Sequence, residues 1–489
     1  MISRNIAERL GKGSMIRKMF EEGNRLKAIY GPDNVYDFSL GNPDLEPPQV
    51  VRDAIRDLAA DATPGMHGYM SNNGYLSTRT AVANFYARDS GLDIAPDHVC
   101  MTVGAAGGLN ITLKALLDPG DEVMVLAPFF FEYLSYIDNH GGVPVVVQND
   151  PDTLLPDLDA IRRAITPRTK ALIINAPNNP SGKLYPETVL RALDATLLTA
   201  DRTIYVLSDE PYAELVYDGR TMPSTLACLT NAIICTSWSK SLSLPGERIG
   251  CTVVSPRCED HDRVAQAAAY CNRTLGFVNA PALFQKVIER TIGSHVDIGL
   301  YEKRRNRLAE IMRAAGFEVD LPEGGLYLFP RVPAGFAAGE PAAGAAGEAP
   351  AGDDVAFAGG KTAGFPARDD VAFAGGKKAG FPARDDVAFA GGKTAGVPAG
   401  DDVAFAGGKT AGVPAGDDVS FAGGKKAGFP ARDDVAFAAC CAKYRILLVP
   451  GSSFQFPGHV RLCFAVSETC IENAAQAFQA LARDCGFLN

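Results

Sequence analysis

Three strand-length apolar runs, at 171–175, 204–207 and 232–235, each give way to a cluster of polar residues. The first runs into Ala176-Pro177-Asn178-Asn179-Pro180-Ser181-Gly182, and the second into Ser208-Asp209-Glu210-Pro211-Tyr212. The third runs into Thr236-Ser237-Trp238-Ser239-Lys240, with Arg248 eight residues after the lysine. If the runs are neighbouring strands, then Asn179, Asp209, Tyr212, Ser237, Ser239, Lys240 and Arg248 face one crevice. A lysine at a strand end, partly desolvated and near an arginine, loses pKa and becomes a nucleophile toward a carbonyl carbon.

The elements that must position these residues are legible as a pattern. A short apolar run at 98–103 leads into Gly104-Ala105-Ala106-Gly107-Gly108 and a helical stretch to Leu117. Another run lies at 122–126, so strand-like and helix-length segments alternate through the first part of the chain. Such alternation predicts an α/β fold with a mostly parallel sheet covered on both faces. Ligands then sit beyond the carboxyl ends of the strands. After Gly293 the pattern changes to a helix at 297–315, strand-like runs at 325–331, 446–449 and 460–465, and a closing helix from Glu468. That second part reads as a smaller α+β domain.

Of 489 residues, 47% are apolar and 21% charged, the balance of a globular protein with a large core, which excludes a fibrous or wholly disordered chain. The net charge of −10 and the lack of a basic excess leave no electrostatic footprint for nucleic acid. No apolar run reaches the length of a membrane span, and charges at the N-terminus stand where a signal peptide needs its apolar stretch. Eleven scattered cysteines without a C-x-x-C pair fit a reducing cytoplasm rather than a disulfide framework or a zinc site, and no metal is expected.

Between the last two groups of strands lies a tandem array. A 16-residue unit, Asp-Asp-Val-Ala-Phe-Ala-Gly-Gly-Lys-Thr-Ala-Gly-Phe-Pro-Ala-Arg, runs with small variations five times over 353–432, and a truncated sixth copy begins at Asp433. Each copy is rich in Gly and poor in large apolar side chains, so a flexible insertion is expected. Its Gly-Gly-Lys-Thr is no phosphate loop, because Val355 stands where that motif needs a glycine. The sixth copy continues without Gly or Pro to Tyr444, which predicts a helix capped by an aspartate.

The combination of Ser237-x-Ser239-Lys240, Arg248, Asp209-x-x-Tyr212 and Asn178-Asn179-Pro180-Ser181-Gly182 resembles the pyridoxal-phosphate-dependent aminotransferases of the aspartate aminotransferase class, fold type I. Further matches are Ser39-Leu40-Gly41-Asn42-Pro43, Gly324-Gly325-Leu326-Tyr327-Leu328 and Val460-Arg461-Leu462. The resemblance implies an N-terminal arm at 1–45, a large cofactor-binding domain at 46–292 and a small domain at 293–489 that carries the array. It implies that Lys240 holds the cofactor and moves a proton, and that Asp209 pairs with the pyridine nitrogen. Tyr212 and Asn179 would bond the ring hydroxyl oxygen. Arg248, Ser237, Ser239 and the backbone of Ala105 and Ala106 would bind the phosphate, with Ala where a hydroxyl or basic residue is common. Phe130 would stack on the ring, and Tyr69 would reach the phosphate of a second subunit, implying a homodimer. Arg461 would grip the substrate α-carboxylate, and Gly41 would lie against the substrate. Arg273 stands near the position of a side-chain-binding arginine in dicarboxylate-specific members.

The expected reaction moves an amino group from an α-amino acid, aspartate being the family default, to a 2-oxo acid such as 2-oxoglutarate. Two other readings were weighed. A β-lyase of the same fold would use the same Lys240 and Asp209. A non-catalytic protein, either a regulator of this fold or an interaction protein driven by the array, is not expected: such regulators carry an N-terminal DNA-binding domain, only about 35 residues precede the Gly41 motif, and the full set of site residues is present.

Overall fold

The chain is described by a computed structural model covering residues 2–3, 6–7, 15–334, 336 and 433–488. The array at 353–432 lies outside the described residues. The strands are β1 (Tyr36–Asp37), β2 (Val99–Thr102), β3 (Glu122–Ala127), β4 (Val143–Gln148), β5 (Thr169–Asn175), β6 (Tyr205–Asp209), β7 (Ala232–Ser237) and β8 (Gly250–Val254), then β9 (Tyr327–Leu328), β10 (Ile446–Leu447), β11 (Val449–Pro450) and β12 (Val460–Cys463). The helices of the first part are α1 (Met15–Tyr30), α2 (Gln49–Ala59), α3 (Leu76–Ser90), α4 (Gly104–Leu116), α5 (Glu132–Asn139), α6 (Leu158–Ala164), α7 (Glu187–Leu197) and α8 (Thr225–Cys228). They are followed by α9 (His261–Thr274), α10 (Ala282–Thr291), α11 (Ile298–Ala314), α12 (Asp434–Lys443) and α13 (Glu468–Asp484).

Seven strands form one sheet in the order β2-β8-β7-β6-β5-β3-β4. All neighbours are parallel except β8, which runs against both β2 and β7. The inner strands are buried along nearly their whole length, so their sequences read as continuous apolar runs, as strands covered on both faces must. Within them, successive residues serve opposite cores. Leu172, Ile174 and Val206 pack into one, with Leu190 and Leu193, and Ala171, Ile173 and Leu207 into the other, with Leu109 and Leu113. Edge strand β4 holds Pro144, which only an edge tolerates. That proline is why β4 does not stand out in the sequence.

A third core gathers Phe38 from the N-terminal segment with Leu308, Met312, Leu328, Phe437, Ile446, Leu462 and Phe478. Two small sheets, β1-β10 and β11-β12-β9, border it. The expected strand at 325–331 is only two residues long, with Arg331 adding a lone bridge to His459, since Pro330 has no N–H to continue a ladder. Where the chain re-enters the described structure after the array, the Asp433 carboxylate accepts from the backbone N–H groups of Val435 and Ala436 at 3.1 and 2.8 Å. The sixth repeat copy thus forms α12, with the expected aspartate cap.

Candidate active site

The parallel strands β5, β6 and β7 end side by side at Asn175, Asp209 and Ser237, with Asn175 opposite Asp209 in the register. The Asn175 side-chain amide donates to the Asp209 backbone carbonyl at 2.7 Å, and its oxygen accepts from the Asn179 N–H at 2.6 Å. One asparagine therefore ties two of the expected site segments together. Asp209 is 7% exposed; one carboxylate oxygen accepts from the Tyr133 hydroxyl at 2.5 Å and the other is buried without a partner. Burial raises its pKa to about 7, against the opposing Tyr133 bond. The next residue, Glu210, is also pushed up to about 7 by burial and lines a separate cavity of about 360 Å³ with Glu214, Ser237 and Trp238.

Lys240 follows β7 and donates from Nζ to the Gly41 carbonyl at 2.6 Å. Burial lowers its pKa to about 8, and the Arg461 and Arg248 charges push the same way. Position 41 demands glycine, because a Cβ there would overlap the Tyr327 hydroxyl. That hydroxyl lies 3.0 Å from the Tyr212 hydroxyl, and burial raises the pKa of both phenols.

Arg461 extends from β12 and is 3% exposed. It donates to the Asn179 side-chain oxygen at 3.1 Å and to the Ser39 carbonyl at 2.6 Å, while Nε has no partner. Its guanidinium lies 4.4 Å from the Tyr327 ring centre and 4.9 Å from that of Phe454, which fixes the plane of the fork. Among the described residues no carboxylate forms an ion pair with it. A buried cation without a counter-charge is costly and calls for an anionic partner.

A second anion-friendly locus lies at the start of α4. Val103 caps this helix without a side-chain hydrogen bond, so the first-turn N–H groups, those of Ala105 and Ala106 included, keep their donors for a ligand. Arg248 stands over it with φ +53, donating to the Val103 carbonyl at 3.4 Å and to that of Pro245 at 3.0 Å. A left-handed arginine carries about 1–3 kcal/mol of backbone strain, and such strain concentrates at functional sites. Gly104 has φ +79, and a Cβ there would sit 2.7 Å from the Arg248 guanidinium. Ser237 and Ser239, both buried, are joined hydroxyl to hydroxyl at 3.1 Å.

Three hydrogen-bonded groups thus make up the cluster: Lys240 with Gly41, Arg461 with Asn179 and through Asn175 with Asp209, and Tyr212 with Tyr327, whose ring lies against the Arg461 guanidinium. Phe130 is half-buried, edge-on to Tyr133 at 5.7 Å, between a core Phe129 and an exposed Phe131. Tyr69 is 94% exposed on its own chain. Arg273 is exposed at the end of α9, over the Tyr270 ring, and among the described residues no hydrogen bond or ion pair joins it to the cluster. Tyr133, Asn175 and Tyr327 were not foreseen as site residues. Of these, Tyr327 lies inside the Gly324–Leu328 motif and Asn175 ends a recognised strand, but nothing in the spacing of Tyr133 marks it.

The family model for aminotransferase class I and II matches residues 33–344. The chain belongs to that family. A probable aspartate/prephenate aminotransferase of Thermus aquaticus is 36% identical over 307 residues, 59% of this chain and 75% of that protein. An aspartate aminotransferase of Thermotoga maritima is 30% identical over 338 residues, 68% of this chain and 85% of that protein. The crystal structure of an amino transferase from Eubacterium rectale superposes with a TM-score of 0.76 at 30% identity, covering 99% of this chain and 100% of that one. This aminotransferase is therefore a fold type I, pyridoxal-phosphate-dependent enzyme that transfers an amino group between an amino acid and a 2-oxo acid. No described helix of the aminotransferase is long and apolar enough to cross a membrane.

The residues present fit that cofactor. Asp209 offers an unpartnered buried oxygen to a protonated ring nitrogen, and the uncapped start of α4 with Arg248 offers donors to a phosphate. The raised pKa of Asp209 makes a stability prediction for the cofactor-free aminotransferase. Its folded value of about 7 lies above the ordinary 3.8, so the neutral form favours folding. This contribution to stability is fully present below about pH 3.8 and is lost as pH rises through about 7. Asp209→Asn removes the buried charge and should make the cofactor-free protein a few kcal/mol more stable at pH 8, with little gain at pH 4. Thermal melts of both proteins at the two pH values check this; an equal effect at both would contradict it.

Proposed function

We propose that Lys240 holds pyridoxal phosphate through its ε-amine and that Arg461 binds the α-carboxylate of the amino acid. The observation that carries this reading is the buried, uncompensated Arg461, linked through Asn179 and Asn175 to Asp209 beside a lysine of lowered pKa. Bound there, pyridoxal phosphate supplies an electron sink for the electrons left at the substrate Cα. The chain's own groups do the rest. Once the substrate amine has displaced it, Lys240 Nζ would take up the substrate Cα proton and hand it on. Asp209 keeps the ring nitrogen protonated, and Tyr212 and Asn179 hold the ring hydroxyl oxygen. Arg248, Ser237, Ser239 and the N–H groups of Ala105 and Ala106 hold the phosphate. Phe130 packs on the ring face, and Gly41 brings its backbone against the substrate.

Lys240 with a pKa of about 8 also sets a rate. Only the neutral amine attacks, so reconstitution of the cofactor-free protein should speed up about tenfold between pH 7 and pH 9 and level off above. Mixing experiments that follow the absorbance of the lysine-bound cofactor measure this. A flat profile would argue against a lysine of lowered pKa.

Aspartate with 2-oxoglutarate is the proposed substrate pair, supported by the names of the relatives. A panel of amino donors, read as bleaching of the cofactor band, tests it. If aspartate and glutamate leave the band unchanged while a neutral amino acid bleaches it, the acidic donor is wrong. The position of Arg273, outside the cluster, adds no support for a side-chain-binding role.

A homodimer is proposed because Tyr69 stands exposed on its own chain, where a second copy would take it to its phosphate site. A cytoplasmic location fits eleven cysteines that are all free. The array is proposed to be tolerated decoration. Lengthening a surface loop by some 80 residues costs only about 1.5 kcal/mol of closure entropy. Deleting 353–432 should leave cofactor binding and turnover within a few-fold, and a deletion variant that folds but cannot transfer an amino group would contradict this.

A further inference from the structure

Away from the cofactor site, at the opposite end of β2, two histidines and an aspartate converge. His98 closes a short 3-10 turn immediately before β2, and His261 and Asp262 open α9. One Asp262 carboxylate oxygen lies 3.4 Å from His98 Nε2 and 3.6 Å from His261 Nε2, and one ligand atom from each of the three residues lies within 4.8 Å of the others. In a tetrahedral zinc site with bonds of 2.0–2.1 Å, ligand atoms stand about 3.3 Å apart. The two measured separations are already close to that edge.

The orientation of the rings points the same way. His261 Nδ1 lies 3.3 Å from the Cys258 carbonyl, which can only accept, and a neutral ring that donates there presents the lone pair of Nε2 on the Asp262 side. A ring held by a backbone carbonyl in this manner is the usual support of a metal-bound histidine. His98 is 7% exposed and turns Nε2 toward Asp262. The neighbouring carboxylates are engaged elsewhere, Asp97 with Arg79 at 2.8 Å and Asp260 with Arg263 at 3.7 Å. Among the described residues Asp262 has no lysine or arginine in ion-pair range. Two imidazoles and a carboxylate form a donor set suited to zinc, with a fourth position open to water beside the exposed Asp262.

We infer that His98, His261 and Asp262 bind a divalent transition-metal ion of the zinc class. The ion ties the start of β2 to α9, the helix that packs along α4. The sequence carries no sign of it, since His98 and His261 are far apart and follow no ligand spacing.

The test is calorimetric titration of tag-free, full-length holoenzyme with zinc chloride, in a buffer that does not bind metals. One ion per chain is expected, with an affinity reduced about tenfold or more in His261→Ala and in Asp262→Asn. Both substitutions are at the helix surface, and amino transfer should persist in both. A Cys440→Ser/Cys485→Ser variant removes the thiol pair whose sulfurs lie 3.3 Å apart, the competing metal site, and should bind as wild type does. Cobalt in place of zinc should give ligand-field bands without thiolate charge transfer. Failure to bind zinc at about 1 mM, unchanged affinity in both surface variants, or binding lost with the cysteines would each overturn the inference.

Discussion

Lys240→Ala should lose the visible absorbance band of bound cofactor and about 10⁴-fold in amino-transfer turnover, the upper end of what one positioned proton-transfer group contributes. Two effects combine in this loss. On the proposed reading the ε-amine is the attachment point and also the carrier of the Cα proton. Its position rests on the 2.6 Å bond to the Gly41 carbonyl and its reactivity on burial, which lowers its pKa to about 8. An exogenous primary amine added to the alanine variant should restore part of the turnover, because it replaces the base without replacing the attachment. Retention of more than about a tenth of wild-type turnover by a folded Lys240→Ala protein would remove Lys240 from the chemistry.

Arg461→Ala should lower kcat/KM for amino acids by about 10²–10⁴-fold, as expected when two hydrogen bonds to a charged group, each about 1.5–3 kcal/mol, are removed. Arg461→Lys keeps the charge but not the planar fork held between the Tyr327 and Phe454 rings, and should recover little. Because Arg461 also bonds Ser39 and Asn179, a structural contribution has to be separated from carboxylate binding. A primary amine that lacks the carboxylate serves as that control. Its slow reaction with the cofactor should be unchanged in Arg461→Ala, whereas a role confined to packing would lower both reactions alike.

The strand ends were legible because β5, β6 and β7 are covered on both faces. A fully apolar run must stop where the sheet meets the crevice, and the polar residues after it, Asn179, Asp209 and Lys240, mark the stop. The helix start at Gly104 was legible for a similar reason, as a glycine-rich turn that follows a strand. Less accessible were contacts made between elements. Tyr133 meets Asp209 only because α5 packs over the end of β6, and no spacing between the two residues encodes that. Tyr327 was visible as part of a motif, but its packing against Gly41 and Arg461 depends on β9 pairing with β12. Strand β4 was hidden by Pro144, whereas the cap at Asp433 was plain because a cap is a local device.

The most direct test follows both halves of the reaction in the full-length enzyme reconstituted with pyridoxal phosphate. Aspartate alone should bleach the lysine-bound band and release one equivalent of the corresponding 2-oxo acid, and 2-oxoglutarate should then restore the band and yield glutamate. Unchanged absorbance with aspartate, together with release of pyruvate and ammonia from a cysteine-type substrate that carries a β leaving group and needs no acceptor, would contradict amino transfer at the Lys240 site and leave the β-lyase in its place.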